Sequence, residues 1–224
     1  VGDGVIAGVV SLCIAGEELR LHPGRAVFWP RRRTLIVADT HFGKSSFFAR
    51  HGVAVPAGAD AADRATLHRL VDETLAERLI VLGDFLHAPM AADSHEAHEI
   101  DAWSRGLAPK EVVVIAGNHD RLAAHPSPSI HWRQKDLLDP PFRFLHDAST
   151  RSDRDAAFTL SGHIHPVMRL GGLRKSGLRV PVFWQRQTGL VLPSFGAFTG
   201  GFAVRPAPGD HLFAVGPTAV TPLG

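Results

Sequence analysis

The sequence predicts an α/β fold up to Pro166 and a second, hairpin-built sheet beyond it. Three observations carry this. Short apolar runs recur, and each stops at polar residues. Longer segments with apolar residues at helical spacing lie between some of them. After Pro166 the runs are broken by Gly171-Gly172, Ser176-Gly177 and Gly200-Gly201, as hairpins require. Uninterrupted apolar runs of this length read as strands buried on both faces.

In chain order, residues 5–14 are apolar but shorter than the ~18 to 20 residues of a membrane span, and no basic flank precedes them. They predict an N-terminal strand. Strands follow at 26–29 and 34–38. A helix is predicted over 60–78, where Leu67, Leu70, Val71 and Leu75 share one face. The run 79–82 is the next strand. A second helix is predicted over 93–105, with Asp93 and Glu96 in capping-box register and Ile100 and Trp103 on one side. Strands at 112–116, 142–145 and 158–160 complete the alternation. The polar stretch 147–155 reads as a loop within a domain, because motif residues lie on both sides of it. Beyond Pro166 the candidate strands are 178–185, 190–195, 202–205 and 212–215.

With 224 residues and 45% apolar content, the chain suits one large domain, 1–224. The net charge of +2 advertises no nucleic-acid partner, although a small basic footprint is compatible with it. Cys13 is the single cysteine, which excludes an internal disulfide and a cysteine-rich metal site and points to a reducing cytoplasmic setting. Histidine is abundant at 14 residues while tyrosine is absent. A chain so rich in imidazole invites a search for metal ligands.

Four motifs and one lone histidine stand at the ends of apolar strands. Asp39-Thr40-His41 follows the strand 34–38; if the backbone stays extended there, carboxylate and imidazole point the same way. Gly83-Asp84 offers a close turn and a carboxylate able to bridge two cations. Gly117-Asn118-His119-Asp120 adds a neutral hard oxygen and a histidine free for proton chemistry. Gly162-His163-Ile164-His165 is a second i, i+2 pair, and His146 stands alone after 142–145. Open α/β sheets assemble ligand sites at the carboxyl ends of their strands, so the five features reinforce one another. Two aspartates against two divalent cations and a hydroxide leave about one unit of positive charge, which favours an anionic substrate.

In combination these motifs resemble the calcineurin-like metallophosphoesterase superfamily. Asp39-Thr40-His41-Phe42-Gly43-Lys44, Gly52-Val53-Ala54-Val55-Pro56, Pro181-Val182-Phe183-Trp184 and the run from Leu192 to Gly201 resemble, more closely, the bacterial DNA-ligase-associated metallophosphoesterases, described as DNA damage response endonucleases. The resemblance covers about 16–215. It implies a four-layer αββα sandwich of two mixed sheets. It gives Asp39, His41, Asp84 and His165 to one divalent metal and Asp84, Asn118, His146 and His163 to the other, with His119 stabilising or protonating the leaving oxygen. His87 and His125 are rivals to His146. It implies manganese, with iron or zinc also suited to such ligands. The implied activity is a hydrolase, a DNA phosphodiesterase or endonuclease of DNA repair, in which a metal-bridging hydroxide attacks phosphorus in line, functionally associated with a DNA ligase and a helicase. The same ligands serve a phosphomonoesterase or pyrophosphatase on a nucleotide or small metabolite, and a non-catalytic metal-binding scaffold is a third reading. The complete set including His119 speaks against the scaffold.

For substrate contacts, Lys44 and Arg50 follow the first motif and either hold a phosphate oxygen or are solvated surface. Arg174, Lys175 and Arg179, with Arg169 and Arg186, surround an expected hairpin and offer a track for a nucleic-acid backbone. Arg31 to Arg33 read as a charged guard beside a buried strand. Phe183 and Trp184 read as packing in the second sheet, and His95 and His98 as spectators on the polar side of a helix.

Overall fold

The computed structural model describes residues 7–54, 58–107, 111–120, 127–150, 157–170, 178–197 and 199–223. Two mixed sheets pack face to face. In the first, β1 (Val10–Ile14), β2 (Glu17–His22), β3 (Ala26–Trp29) and β4 (Thr34–Val37) form an antiparallel meander. From β4 the sheet continues in parallel through β5 (Arg78–Leu82), β6 (Glu111–Ile115) and β7 (Ile130–Arg133). Helices α1 (Lys44–Arg50) and α2 (Ala59–Thr74) lie between β4 and β5 in the chain, and α3 (His95–Gly106) between β5 and β6. The second sheet has the order β14-β11-β12-β13-β10-β9-β8, with β15 on β12 and β16 on β15. Its strands are β8 (Leu137–Asp139), β9 (Phe142–Phe144), β10 (Phe158–Ser161), β11 (Pro166–Leu170), β12 (Leu178–Arg186), β13 (Gly189–Val191), β14 (Phe202–Ala203), β15 (His211–Val215) and β16 (Val220–Leu223).

The side-chain period of two sorts the first sheet onto two cores. Leu35, Val37, Leu79, Val81, Val112 and Val114 face Leu67, Leu70 and Val71 of α2 and Ile100 of α3. The intervening Ile36, Ile80, Leu82, Val113 and Ile115 face Phe142, Phe144, Leu160, Phe183 and Leu190 of the second sheet. β4, β5 and β6 are therefore apolar along most of their length because both faces are covered, whereas β7 alternates with His131 and Arg133. Helices are few. Among the described residues the outer face of the second sheet carries a small apolar cluster of Val182, Val204 and Leu212 rather than a helix. No helix among the described residues is long and apolar enough to cross a membrane.

Several boundaries differ from expectation. α2 ends at Thr74, because Leu75 adopts a left-handed cap (φ 51) and its amide bonds back to Asp72 and Val71 carbonyls. The residues up to Arg78 then feed β5. The cap of α3 is Ser94 and not Asp93: its hydroxyl accepts from the Ala97 amide at 3.1 Å. The run 190–195 leaves the second sheet after Val191 and crosses to the first, where the Phe195 amide donates to Ala38 O at 2.8 Å. Arg31 to Arg33 do not guard an edge, since β4 lies inside the sheet; they pair with Glu17, Asp139 and Glu77. Six elements escaped the sequence reading: β2, α1, β7, β8, β11 and β16.

Candidate metal centre

Every motif sits where a strand has just ended. β4 stops at Val37 and β5 at Leu82, and the segments beyond them bond to each other: the Asp39 amide donates to Gly83 O and the His41 amide to Asp84 O. The extended geometry expected for Asp39 and His41 is absent. Asp39, His41, Asp84, His163 and His165 all have positive φ, between 45° and 74°. Such a backbone costs about 1–3 kcal/mol at each non-glycine residue and persists where the surroundings over-determine it. Left-handed kinks, rather than strand alternation, turn these side chains to a common point.

Two glycines make room for that point. Gly83 (φ 78) packs against the His146 ring so closely that a Cβ would overlap it. A Cβ on Gly117 would fall on the carboxylate and amide of Asp84. Asp120 ties the same loops together: its carboxylate accepts from the amides of Gly117 (2.9 Å), Phe85 (3.1 Å) and Leu86 (2.9 Å). On the opposite side Ser194 Oγ donates to Asp39 O, and Arg25 holds the carbonyls of Ser194, Phe195 and Gly196.

The donor atoms form two groups, each within 4.8 Å: Asp39, His41 and His165; and Asp84, His146 and His163. Asp84 faces both. Its Oδ2 lies 4.0 Å from His41 Nε2 and its Oδ1 3.5 Å from His146 Nε2. Asn118 Oδ1 is 3.0 Å from His146 Nε2, and His163 Nδ1 is also 3.0 Å from it. A third trio, His41, His87 and His119, adjoins the first group. His87 therefore stands beside His119 rather than in place of His146, while His125 lies outside the described residues.

Backbone carbonyls accept and never donate, so they fix the tautomers. His146 Nδ1–H donates to Leu82 O at 3.0 Å, His165 Nδ1–H to Gly200 O at 2.9 Å, and His119 Nδ1–H to His87 O at 2.7 Å. In a neutral ring each of these leaves Nε2 as a lone pair. His146 Nε2 then confronts the Asn118 carbonyl oxygen with no hydrogen between them, and His165 Nε2 confronts His41 Nε2 at 3.4 Å and Asp39 Oδ2 at 3.6 Å. Acceptors at such separations repel unless a cation or a proton lies between them. The donor set, with its nitrogens and carboxylates, fits divalent metals.

Electrostatics agree. Burial, with the neighbouring His165, Lys44, His119 and His87, pushes the His41 pKa down to about 2, so the ring is a neutral donor. Burial raises the pKa of Asp39, which has no exposed surface, and a cation beside it would favour the charged form. Burial also opposes charge on His165, but the Asp39 carboxylate outweighs it and holds that pKa above its ordinary value.

Other expected residues separate. Lys44 opens α1 partly buried, and its charge acts on His41 and His87. Arg50, at the far end of α1, is not directed to the site but pairs with Glu96 at 2.8 Å. Arg179 lines a cavity of about 240 Å³ together with His165 and Arg25. Arg174 and Lys175 lie outside the described residues. Phe183 is buried in the core between the sheets, and Trp184 donates to Asp210. The sequence reading missed Asp147, whose Oδ2 is 3.9 Å from His163 Nε2, and the clamp made by Asp120. Asp147 adjoins His146 in the chain, which was the only available signal.

Among solved structures, the chain is similar to the nuclease MPE of Pseudomonas putida, with 34% identity, a TM-score of 0.81, and coverage of 96% of this chain and 100% of that one. It also matches YfcE, a phosphoesterase from E. coli, at 16% identity over 84% and 95% of the two chains, with a TM-score of 0.43. No curated protein matches. The family model for calcineurin-like phosphoesterases matches residues 32–176. With that model spanning most of the chain and two packed sheets whose strand ends gather aspartate, asparagine and histidine, the chain belongs to the calcineurin-like phosphoesterases, metal-dependent hydrolases of phosphate esters.

Proposed function

We propose that this chain is a two-metal phosphodiesterase that cleaves DNA as an endonuclease, with manganese as its metal, in a single domain working in the cytoplasm. The observation that carries the reading is Asp84, whose two oxygens face two separate groups of donors. Asp39, His41, Asp84 and His165 would hold one cation and Asp84, Asn118, His146 and His163 the other. When bound, such a pair lowers the pKa of water toward ~7 and offsets charge on the phosphate. The chain's own residues supply the rest. Neutral His41 and the tautomers fixed at His146 and His165 aim lone pairs inward without reorganisation. His119, with Nδ1–H anchored on the His87 carbonyl, presents Nε2 to the leaving oxygen and, when that nitrogen carries a proton, donates it there. Lys44 adds positive charge beside His41 and suits an anionic substrate.

The DNA substrate draws its support from the P. putida nuclease, similar over nearly the whole of both chains. A place in DNA repair beside a ligase and a helicase rests on the resemblance of the motifs. The test compares a phosphodiester dye, a phosphomonoester dye and nicked or single-stranded DNA across metals. Manganese-dependent cleavage of the diester and the DNA is expected. Efficient hydrolysis of a monoester or nucleotide with DNA left intact would replace this reading.

A further inference from the structure

Two large rings beside the metal centre have no place in the core. Phe47 and Phe48 of α1 are only partly buried, and among the described residues neither joins any of the three apolar clusters. They pack on histidines of the site instead. Phe48 stacks on His87 with centroids 5.5 Å apart and planes at 30°, while Phe47 meets the same ring edge-on at 5.0 Å. His87 in turn stacks on His119 at 5.4 Å and 22°. On the outer side the exposed His51 lies over Phe47 at 4.3 Å and 35°. A file of rings thus runs from His119 to the surface.

A cation accompanies the file. Lys44 holds its ammonium 5.8 Å from the Phe48 centroid, and among the described residues it makes no ion pair. Arg50 pairs with Glu96, whereas Lys44 stays beside the rings, with the Asp60 carboxylate of α2 acting on it. Leaving flat apolar rings partly exposed costs free energy that a purely structural helix would recover by burying them. A ring surface beside an ammonium and a phosphate-ester site is complementary to one ligand in particular: a nucleotide, whose flat base and anionic phosphate are one sugar apart. An apolar peptide would make no use of the Lys44 charge.

We propose that Phe47, with His51 beside it, is a stacking ledge for the nucleobase that flanks the scissile phosphate. This rests on the nuclease reading and extends it: the enzyme takes hold of a base as well as the backbone, without regard to which base, because every base has a π face.

The test uses the manganese-loaded full chain and two short oligomers of equal length and charge, one of thymidine and one with tetrahydrofuran residues in place of every nucleoside. A small phosphodiester dye serves as the control for metal chemistry. In the wild type, removing the bases is expected to raise KM about 5- to 150-fold, the range of one aromatic stacking contact. In Phe47→Leu the two oligomers should converge, in Phe47→Trp the difference should return, and in His51→Ala it should shrink. Because the wild-type ratio and the exposed His51 decide the matter alone, a misfolded Phe47 variant does not. Both oligomers cut by the wild type with equal KM overturns the ledge and leaves the nuclease reading standing. So does a Phe47→Leu ratio as large as the wild type's. Both oligomers left intact while the dye diester is hydrolysed overturns the nuclease reading and the ledge with it.

Discussion

Replacing Asp120 by asparagine tests how the loops of the metal centre are held. Asp120 is 4% exposed, and its two oxygens accept three backbone amides from two separate loops. Asparagine has one acceptor oxygen. Placed where Oδ2 stood it keeps Gly117 and Phe85 but turns an NH₂ group toward the buried Leu86 amide; the opposite rotamer loses two bonds. One buried donor left unsatisfied costs about 1–3 kcal/mol, and replacing charged acceptors by a neutral one weakens the remaining bonds by about 1 kcal/mol each. Burial raises the Asp120 pKa, so removing its charge recovers part of that loss. The net expectation is about 2–4 kcal/mol, which at about 2–4 °C per kcal/mol for a chain of this size lowers Tm by about 4–16 °C. Thermal unfolding should be followed in a strong chelator, so that metal binding does not mask the effect. A Tm within about 2 °C of wild type would refute the clamp.

Gly117→Ala is expected to push the Asp84 carboxylate aside, at about 1–3 kcal/mol of overpacking, and to lower bound metal by elemental analysis; a full complement held at wild-type affinity would show that the close approach is slack. His119→Ala should keep its metals and lose roughly 10² to 10⁴ in rate, least for esters with good leaving groups, whereas collapse of metal binding would make His119 a ligand. His22 is a pH test away from the centre. Burial lowers its pKa, against the pull of Glu73, and its Nδ1 accepts from the Gly24 amide. The unfolded chain therefore binds the proton more readily, so stability is complete above about pH 6.5 and falls as pH drops from there through the folded pKa. His22→Asn, which keeps an acceptor in place, should flatten the difference in urea-unfolding free energy between pH 7 and pH 5; an unchanged slope would refute it.

Strands β4, β5 and β6 were legible because burial on both faces leaves an unbroken apolar run, and the motifs gathered at the candidate site because each follows such a run directly. What failed depends on contacts far apart in sequence or on backbone that propensity does not encode. α1 has no core-facing periodicity, since Phe47 and Phe48 turn to the site instead. β7, with His131 and Arg133 alternating between Ile130 and Trp132, lacks the apolar continuity of its neighbours. Arg50 seemed to belong beside the first motif, but its partner Glu96 comes from α3. His146 was visible only by its position, because what places it is the parallel pairing of β9 with β10 and the Gly162 amide bonded to its carbonyl. The extended backbone expected at the two i, i+2 pairs is absent: the positive φ values at Asp39, His41, His163 and His165 are invisible in composition, and no glycine occupies those positions.

The central claim is that this chain's phosphoesterase activity is housed in a two-cation centre bridged by Asp84. Its most direct test is metal content and turnover measured on the same samples, for the wild type and for Asp84→Ala, after stripping with a chelator and reloading with manganese. Stripped wild type is expected to be inactive on a phosphodiester dye, reloaded wild type to regain activity with two metals per chain, and Asp84→Ala to lose metal from both sites. Full turnover by wild type shown to be metal-free, or two metals retained by Asp84→Ala, would contradict it.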